Sequence, residues 1–123
     1  MPRDKAVKYF SGSYNCAQSV IKAFEDTHEV SEDEIIKFKK YGGGRAPEGI
    51  CGAVYGALTL CENNTEVSEF KDKFTKCAGS LKCRDIRSSK TLSCAECVEK
   101  AADIFTKNSI DGIGKESAEG LDN

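Results

Sequence analysis

The sequence lacks an apolar run long enough to cross a membrane, and it lacks a strong excess of charge of either sign. No window reaches the roughly 18 apolar residues of a membrane helix. No apolar stretch follows the opening Met-Pro-Arg-Asp-Lys, so no signal peptide is visible. We therefore expect a cytoplasmic protein without direct membrane insertion. The formal net charge of −2, with no basic stripe, argues against a nucleic-acid binder.

Motifs for the common bound cofactors are also missing. His28 is the only histidine, and we expect it at the surface near a helix C-terminus. No His-Cys ligand motif and no zinc-finger spacing occurs. No tight Cys-x-x-Cys-x-x-Cys cluster of the ferredoxin kind occurs. The run Gly42–Gly44 follows a predicted helix and lacks the Gly-Lys-Ser/Thr ending of a phosphate-binding loop, which argues against a nucleotide site.

No β-type alternation persists, whereas apolar residues recur at helical spacing almost throughout. The pattern predicts an all-α fold, a compact bundle of five or six short helices. It predicts one domain over residues 1–107 and a disordered, flexible tail over residues 108–123. Ser13 is the expected N-cap of a helix that reaches about His28. Capping boxes that begin at Ser31 and Ser93 predict two further helix starts.

What the sequence has in quantity is cysteine, with seven in 123 residues. In a reducing compartment such cysteines are mostly reduced, catalytic or metal-bound, and an odd number fits poorly with a fully paired disulfide scaffold. Cys16, Cys51 and Cys94 each fall close to a predicted helix start. Unpaired N–H groups and a positive partial charge at a helix N-terminus favour a thiolate there, which is the form that attacks disulfides and binds metals.

The remaining cysteines divide into two groups. For Cys61 and Cys77 we favour inert, buried positions, in which cysteine acts as a small apolar side chain. For Cys83 we favour a functional role. Cys97 is open to either interpretation, because the Cys94-x-x-Cys97 spacing suits a disulfide or half of a metal site.

Small residues follow Cys51 in the run Cys51-Gly52-Ala53-Val54-Tyr55-Gly56, and this run resembles the C_GCAxxG_C_C family of proteins described as redox-active. The resemblance extends to Asn15-Cys16-Ala17, to the glycines before Cys51, to Cys83 and to the Cys94–Cys97 segment, and so covers about residues 13 to 105. It implies a redox role for four cysteines, with Cys94 favoured over Cys97 as the fourth. Genes of the family often neighbour transporter genes, which implies a membrane transporter or another redox protein as partner.

We therefore expect a thiol-based redox or electron-transfer protein that works by reversible disulfide exchange. Cys16, Cys51, Cys83 and Cys94 would converge, with Cys51 as the nucleophile and one of the others resolving the mixed disulfide. In the alternative, the same four sulfurs, with Cys97 as a further candidate, bind zinc or an iron–sulfur cluster. A second alternative is a non-catalytic helical interaction domain with inert buried thiols.

Overall fold

The computed structural model describes residues 2–42 and 45–118, with side chains described as far as residue 107. Over these residues the chain forms eight α-helices and two short 3₁₀ segments, with no β-strand. The helices are α1 (Pro2–Ser11), α2 (Cys16–Ala23), α3 (Glu25–His28), α4 (Glu32–Lys37), α5 (Gly52–Leu60), α6 (Asn64–Ala78), α7 (Cys83–Ser89) and α8 (Cys94–Ala118). The 3₁₀ segments are Phe38–Tyr41 and Pro47–Gly49. The predicted all-α class is confirmed, whereas the predicted number of helices was slightly too low.

One reason for the higher count is a break at Phe24. The single helix predicted from Ser13 to about His28 is two helices, α2 and α3, which meet at this residue. Phe24 leaves helical geometry, with φ −111° and ψ 16°. Its ring is buried and packs edge-on against Phe105 of α8, with the ring centroids 4.9 Å apart. The chain therefore bends where an aromatic side chain is anchored in the core.

The predicted N-cap of α2 was wrong by two residues, because Asn15 rather than Ser13 caps this helix. The Asn15 carboxamide oxygen accepts a hydrogen bond from the Gln18 N–H at 2.8 Å, and the Gln18 side chain accepts one from the Asn15 N–H at 3.1 Å. The Asn15 amide nitrogen also donates to the carbonyl of Lys39 at 2.8 Å. This reciprocal cap makes Cys16 the first residue of α2.

The two capping boxes predicted from the sequence are confirmed. Ser31 and Glu34 exchange side-chain and backbone hydrogen bonds at the start of α4. At the start of α8, the Ser93 N–H donates to Glu96 at 2.8 Å, and the Glu96 N–H donates to the Ser93 hydroxyl at 3.1 Å. The second box fixes Cys94 as the first residue of α8.

Helix α8 is central to the fold, since it packs against α1, α2, α5 and α6. The fully buried rings of Phe70 and Phe74, from α6, and the side chain of Val98, from α8, belong to the main hydrophobic core. Burying a side chain of this size contributes about 1.5–3 kcal/mol relative to leaving it exposed. The long helix thus forms the support on which the shorter helices are placed.

Helices α2 and α5 approach closely because α5 carries glycine at two contact positions. A methyl group at Gly56 would lie 2.9 Å from the carbonyl oxygen of Ala17. One at Gly52 would lie 2.5 Å from the Cys16 sulfur and 2.8 Å from the Tyr41 carbonyl oxygen. No real Cβ tolerates such distances, so the absence of side chains here brings the start of α5 against the start of α2.

Beyond residue 107 the backbone of α8 continues as helix to Ala118, whereas the sequence predicted a flexible tail over residues 108–123. Residues 119–123 of that predicted tail lie outside the described residues, and the division into a domain and a tail stays a prediction. None of the helices in the described part of the chain combines the length and apolar character needed to cross a membrane.

Candidate functional site

The four cysteines singled out from the sequence all lie at helix starts. Cys16, Cys83 and Cys94 are the first residues of α2, α7 and α8, and Cys51 immediately precedes α5. The first N–H groups of a helix have no partner within the helix and give its N-terminus a positive partial charge. Each of these sulfurs therefore lies where the backbone favours negative charge.

The structure brings these four sulfurs together with a fifth. A narrow pocket of about 30 Å³ is lined by Cys16, Cys51, Gly52, Cys83, Ile86, Arg87, Leu92, Cys94 and Cys97. Its lining has no carboxylate and a single cation, the guanidinium of Arg87. A cavity needs roughly 10–15 Å³ of such space to hold one water molecule. The pocket therefore has room for a sulfur atom or another very small group.

Two local contacts help to explain the convergence. The close approach at Gly52 places the Cys16 sulfur against the start of α5, beside Cys51. On the other side, the Cys51 N–H donates to the Leu81 carbonyl at 2.8 Å, and an isolated antiparallel bridge pairs Ile50 with Lys82. This pairing holds the chain before α5 alongside the chain before α7, and so brings Cys83 to the same pocket.

Cys51 and Cys97 form the innermost pair. Both are buried, with 5% and 4% of their surfaces exposed. The Cys97 thiol donates a hydrogen bond to the Cys51 sulfur. That bond, helped by the N–H groups of Val54 and Ala53 and by the charge of Arg87, outweighs burial and lowers the pKa of Cys51 to about 7. The same hydrogen bond and burial raise the pKa of Cys97, so ionisation is favoured on Cys51 and the proton stays on Cys97.

Cys94 and Cys83 lie nearer the surface. Cys94 is exposed, and the Arg87 guanidinium donates to its sulfur through Nη2 at 4.0 Å. Cys83 is half-buried; burial raises the pKa of its thiol, and the nearby charge of Arg87 offsets part of that effect. The pocket thus has a buried thiolate–thiol pair on its inside and an exposed thiol beside a cation on its outside.

Of the residues in this pocket, the sequence left Cys97 open to either interpretation and did not single out Arg87. Cys97, rather than the favoured Cys94, is the thiol that hydrogen-bonds to Cys51. Arg87 follows Cys83 by four residues and so shares its helix face. That spacing was the only available signal, and it is common on solvated helices.

The two cysteines set aside from the sequence lie away from this pocket. Cys61 is half-buried, its thiol donates to the Ala57 carbonyl at 3.5 Å, and burial, with the charge of Glu66, raises its pKa to about 11. The expectation of burial was wrong for Cys77, which is exposed on α6. The buried residues of α6 are Phe70, Phe74 and Ala78, and Cys77 lies outside this buried face.

A larger cavity, of about 450 Å³, lies elsewhere in the fold. Its lining includes His28 and Cys61 and none of the five clustered cysteines. His28 contacts the rings of Phe24 and Phe105, with ring centroids 5.8 Å and 5.1 Å away. The single histidine therefore does not line the cysteine pocket.

The side chains described by the structure do not fit the metal alternative. Within residues 2–42 and 45–107, no three His, Cys, Asp or Glu side chains are grouped so that they could hold a metal ion. No disulfide joins any of the seven cysteines either.

A comparison with protein-family models matches residues 14–108 to the model described as "Putative redox-active protein (C_GCAxxG_C_C)". A search of curated proteins and a search of solved structures each returned no match. The matched span runs from the residue before the α2 cap to the first part of α8 and includes all seven cysteines. The chain therefore belongs to the C_GCAxxG_C_C family, whose description gives it a redox role.

Proposed function

We propose that this protein exchanges disulfides with a partner and that Cys51 and Cys97 form its reversible internal disulfide. The observation that carries this proposal is the pairing of two buried sulfurs in one pocket, where the Cys97 thiol is hydrogen-bonded to the Cys51 sulfur. Two sulfurs in hydrogen-bond contact are neighbours that thiol–disulfide exchange can join, and one of them is already favoured as the attacking thiolate. The family's redox description supports this class of chemistry.

The reaction balances without an added oxidant. A site thiolate attacks a partner disulfide, forms a mixed disulfide and releases the first partner sulfur. The Cys51 thiolate attacks the site sulfur of that mixed disulfide and releases the second partner sulfur. Cys97 then displaces that site sulfur from Cys51 and closes the Cys51–Cys97 disulfide. Two electrons and two thiol protons pass from the site to the partner, whose disulfide becomes two thiols. The same steps in reverse oxidise a partner dithiol.

The lowered pKa of Cys51 suits this exchange. A thiol whose pKa is near the ambient pH combines a substantial thiolate fraction with good nucleophilicity. Because Cys51 is only 5% exposed, its thiolate is placed to attack sulfur already attached to the site rather than a free partner. We therefore assign Cys51 to the internal step.

The test is a disulfide map of the protein after mild oxidation. Reduced protein is treated with diamide at neutral pH, the remaining thiols are alkylated, and peptides are analysed by mass spectrometry without reduction. We expect a Cys51–Cys97 link that dithiothreitol reverses. It is lost in Cys51→Ser and in Cys97→Ser, and it is retained in the control Cys77→Ser, whose exposed thiol lies outside the pocket. Recovery of both cysteines as alkylated thiols after oxidation contradicts the proposal.

A further inference from the structure

The surface beside the cysteine pocket is basic in a chain that is acidic overall. Between residues 82 and 96 the chain carries four cations and two carboxylates, although its net charge is −2. The cations are all exposed, and we call them the basic rim: Lys82, Arg84, Arg87 and Lys90.

The two carboxylates of this segment are engaged in local hydrogen bonds. Asp85 accepts from the Ser80 hydroxyl at 3.1 Å, and Glu96 accepts from the Ser93 N–H at 2.8 Å. Neither lines the pocket. A molecule that approaches the pocket from this side therefore meets an excess of positive charge.

Cys94 is the exposed sulfur on this side. Of the five cysteines that line the pocket, Cys51 and Cys97 are buried, and Cys16 and Cys83 are half-buried. Cys94 is exposed and accepts a hydrogen bond from Arg87, which belongs to the basic rim. A partner that approaches over the rim therefore reaches this sulfur first.

We propose that Cys94 is the thiol that contacts the partner, and that the basic rim selects a redox protein whose reactive disulfide lies among acidic side chains. This inference rests on the proposed disulfide exchange. In the first step the Cys94 thiolate attacks one partner sulfur, the partner's S–S bond breaks, and a Cys94–partner disulfide forms. The second partner sulfur leaves as a thiolate with the electron pair of the broken S–S bond and takes up a proton. The Cys51 thiolate then attacks the Cys94 sulfur and releases the first partner sulfur. Cys97, on losing its proton, displaces Cys94 from Cys51, so that two electrons in all have moved from the site to the partner's disulfide.

The shape of the surface favours a protein over a small molecule. A pocket of about 30 Å³ does not enclose a small disulfide, since ligand sites of that kind occupy about 300–1,000 Å³. The rim follows α7 and its flanking residues, and seven helical residues alone span about 10 Å. Charges spread over that length match an acidic surface better than they match a single small anion.

The experiment compares three peptides of equal length, each carrying one cysteine as a mixed disulfide with 2-thiopyridine. The cysteine is flanked by glutamates, by serines or by lysines. Release of the neutral thiopyridone reports attack by the protein thiol. All rates are measured on the Cys77→Ser background, which removes the exposed thiol outside the pocket.

At low salt we expect the glutamate peptide to react about tenfold or more faster than the lysine peptide, with the serine peptide between them. Near 1 M salt, where the Debye length falls to about 3 Å, the three rates should converge. Equal rates at low salt, or a faster lysine peptide, overturn the inference. A small dianionic disulfide that reacts as fast as the glutamate peptide, with the same salt dependence, overturns the choice of a protein partner.

Variants locate the effect. Lys82→Ser with Arg84→Ser removes half of the rim and leaves Arg87 and the pocket intact, so the preference for the glutamate peptide should fall several-fold. Lys71→Ser with Lys76→Ser removes two exposed lysines of α6 and should leave the preference for the glutamate peptide unchanged. Cys94→Ser should abolish the rapid phase with every peptide, and a rapid phase that survives shows that another thiol makes first contact.

The two proposals fail separately. If the oxidised protein forms the Cys51–Cys97 link but the three peptides react at equal rates, the proposed role of the basic rim is wrong and the proposed disulfide exchange stands. If the glutamate peptide reacts faster at Cys94 but the protein never forms the Cys51–Cys97 link, the proposed internal disulfide is wrong. The inference that the partner is a redox protein then loses its basis.

Discussion

The Cys97 thiol donates a hydrogen bond to the sulfur of Cys51, and both side chains are almost fully buried. The bond joins the start of α5 to the first turns of α8, so the two sulfurs come from helices far apart in sequence. Burial alone would raise the pKa of either thiol. The hydrogen bond separates their roles, since it favours the thiolate on Cys51 and keeps the proton on Cys97.

Cys97→Ala should raise the pKa of Cys51 above about 7, because the largest favourable contribution to its thiolate is removed while the burial that opposes ionisation remains. The titration is followed by thiolate ultraviolet absorbance, and the signal of Cys51 is obtained by comparison with variants that lack it. Cys77→Ser serves as the control and should leave the pKa of Cys51 unchanged. An unchanged midpoint in Cys97→Ala would show that the helix N–H groups and Arg87 are sufficient to lower the pKa of Cys51 without the hydrogen bond from Cys97.

Formation of the Cys51–Cys97 disulfide should depend on pH with a midpoint of about 7. The pKa of Cys51 is depressed in the folded protein, so its thiolate is present above that midpoint and is lost as the pH falls through it. Below the midpoint the rate should drop about tenfold for each pH unit, since only the thiolate attacks. Quenched oxidation with diamide, followed by peptide mapping, gives the rate.

Unfolded protein provides the matched control for this pH profile. In concentrated urea the hydrogen bond and the helix starts are gone, and the midpoint should move to about 8.5, the ordinary value for a cysteine. Folded and unfolded protein with the same midpoint would mean that the fold does not activate Cys51.

The sequence predicted that Cys16, Cys51 and Cys94 lie near helix starts because the signals involved are local, whereas it gave no such signal for Cys83. The capping box that begins at Ser93 sets the start of α8 within a few residues and places Cys94 there. Gly49 and the small residues after Cys51 likewise mark the start of α5. Such signals depend on hydrogen bonds between near neighbours, which a sequence displays directly.

The sequence could not assign the partner of Cys51, because that depends on how helices cross. Cys94 and Cys97 lie one turn apart, and only the packing of α8 against α5 decides which of them faces inward. Cys77 was misplaced for a related reason. The buried face of α6 follows a spacing of four residues through Phe70, Phe74 and Ala78, and a spacing of three would equally have buried Cys77.

Cys77 should be alkylated by iodoacetamide well before Cys61 when the folded protein is treated at neutral pH. Cys77 is exposed, whereas Cys61 is half-buried, donates a hydrogen bond to the Ala57 carbonyl and has a pKa of about 11. Only a very small fraction of Cys61 is thiolate at neutral pH, and the thiolate is the reactive form. Time-resolved peptide mapping gives both rates. Comparable labelling in urea, where both thiols are accessible, shows that the difference comes from the fold.

Gly56→Ala should destabilise the protein, although alanine is the better helix former. The new methyl group would lie 2.9 Å from the Ala17 carbonyl oxygen and 3.3 Å from a methyl carbon of Ile21, so α2 and α5 must separate. Overpacking of this kind costs about 1–3 kcal/mol, and the gain in helix propensity offsets roughly 0.5–1 kcal/mol of that. Urea denaturation measures the net change in the free energy of unfolding.

Gly12→Ala is the matched control, because its methyl group would meet the nearest atom, the Tyr9 carbonyl oxygen, at an ordinary 3.4 Å. Its free energy of unfolding should change by no more than about 0.5 kcal/mol. If the separation of α2 from α5 also moves Cys16 away from the pocket, Gly56→Ala should increase the alkylation of Cys16, whereas Gly12→Ala should not. Equal stabilities for the two variants would show that the contact between α2 and α5 relaxes without cost, and that Gly56 is not what holds the Cys16 helix against the Cys51 helix.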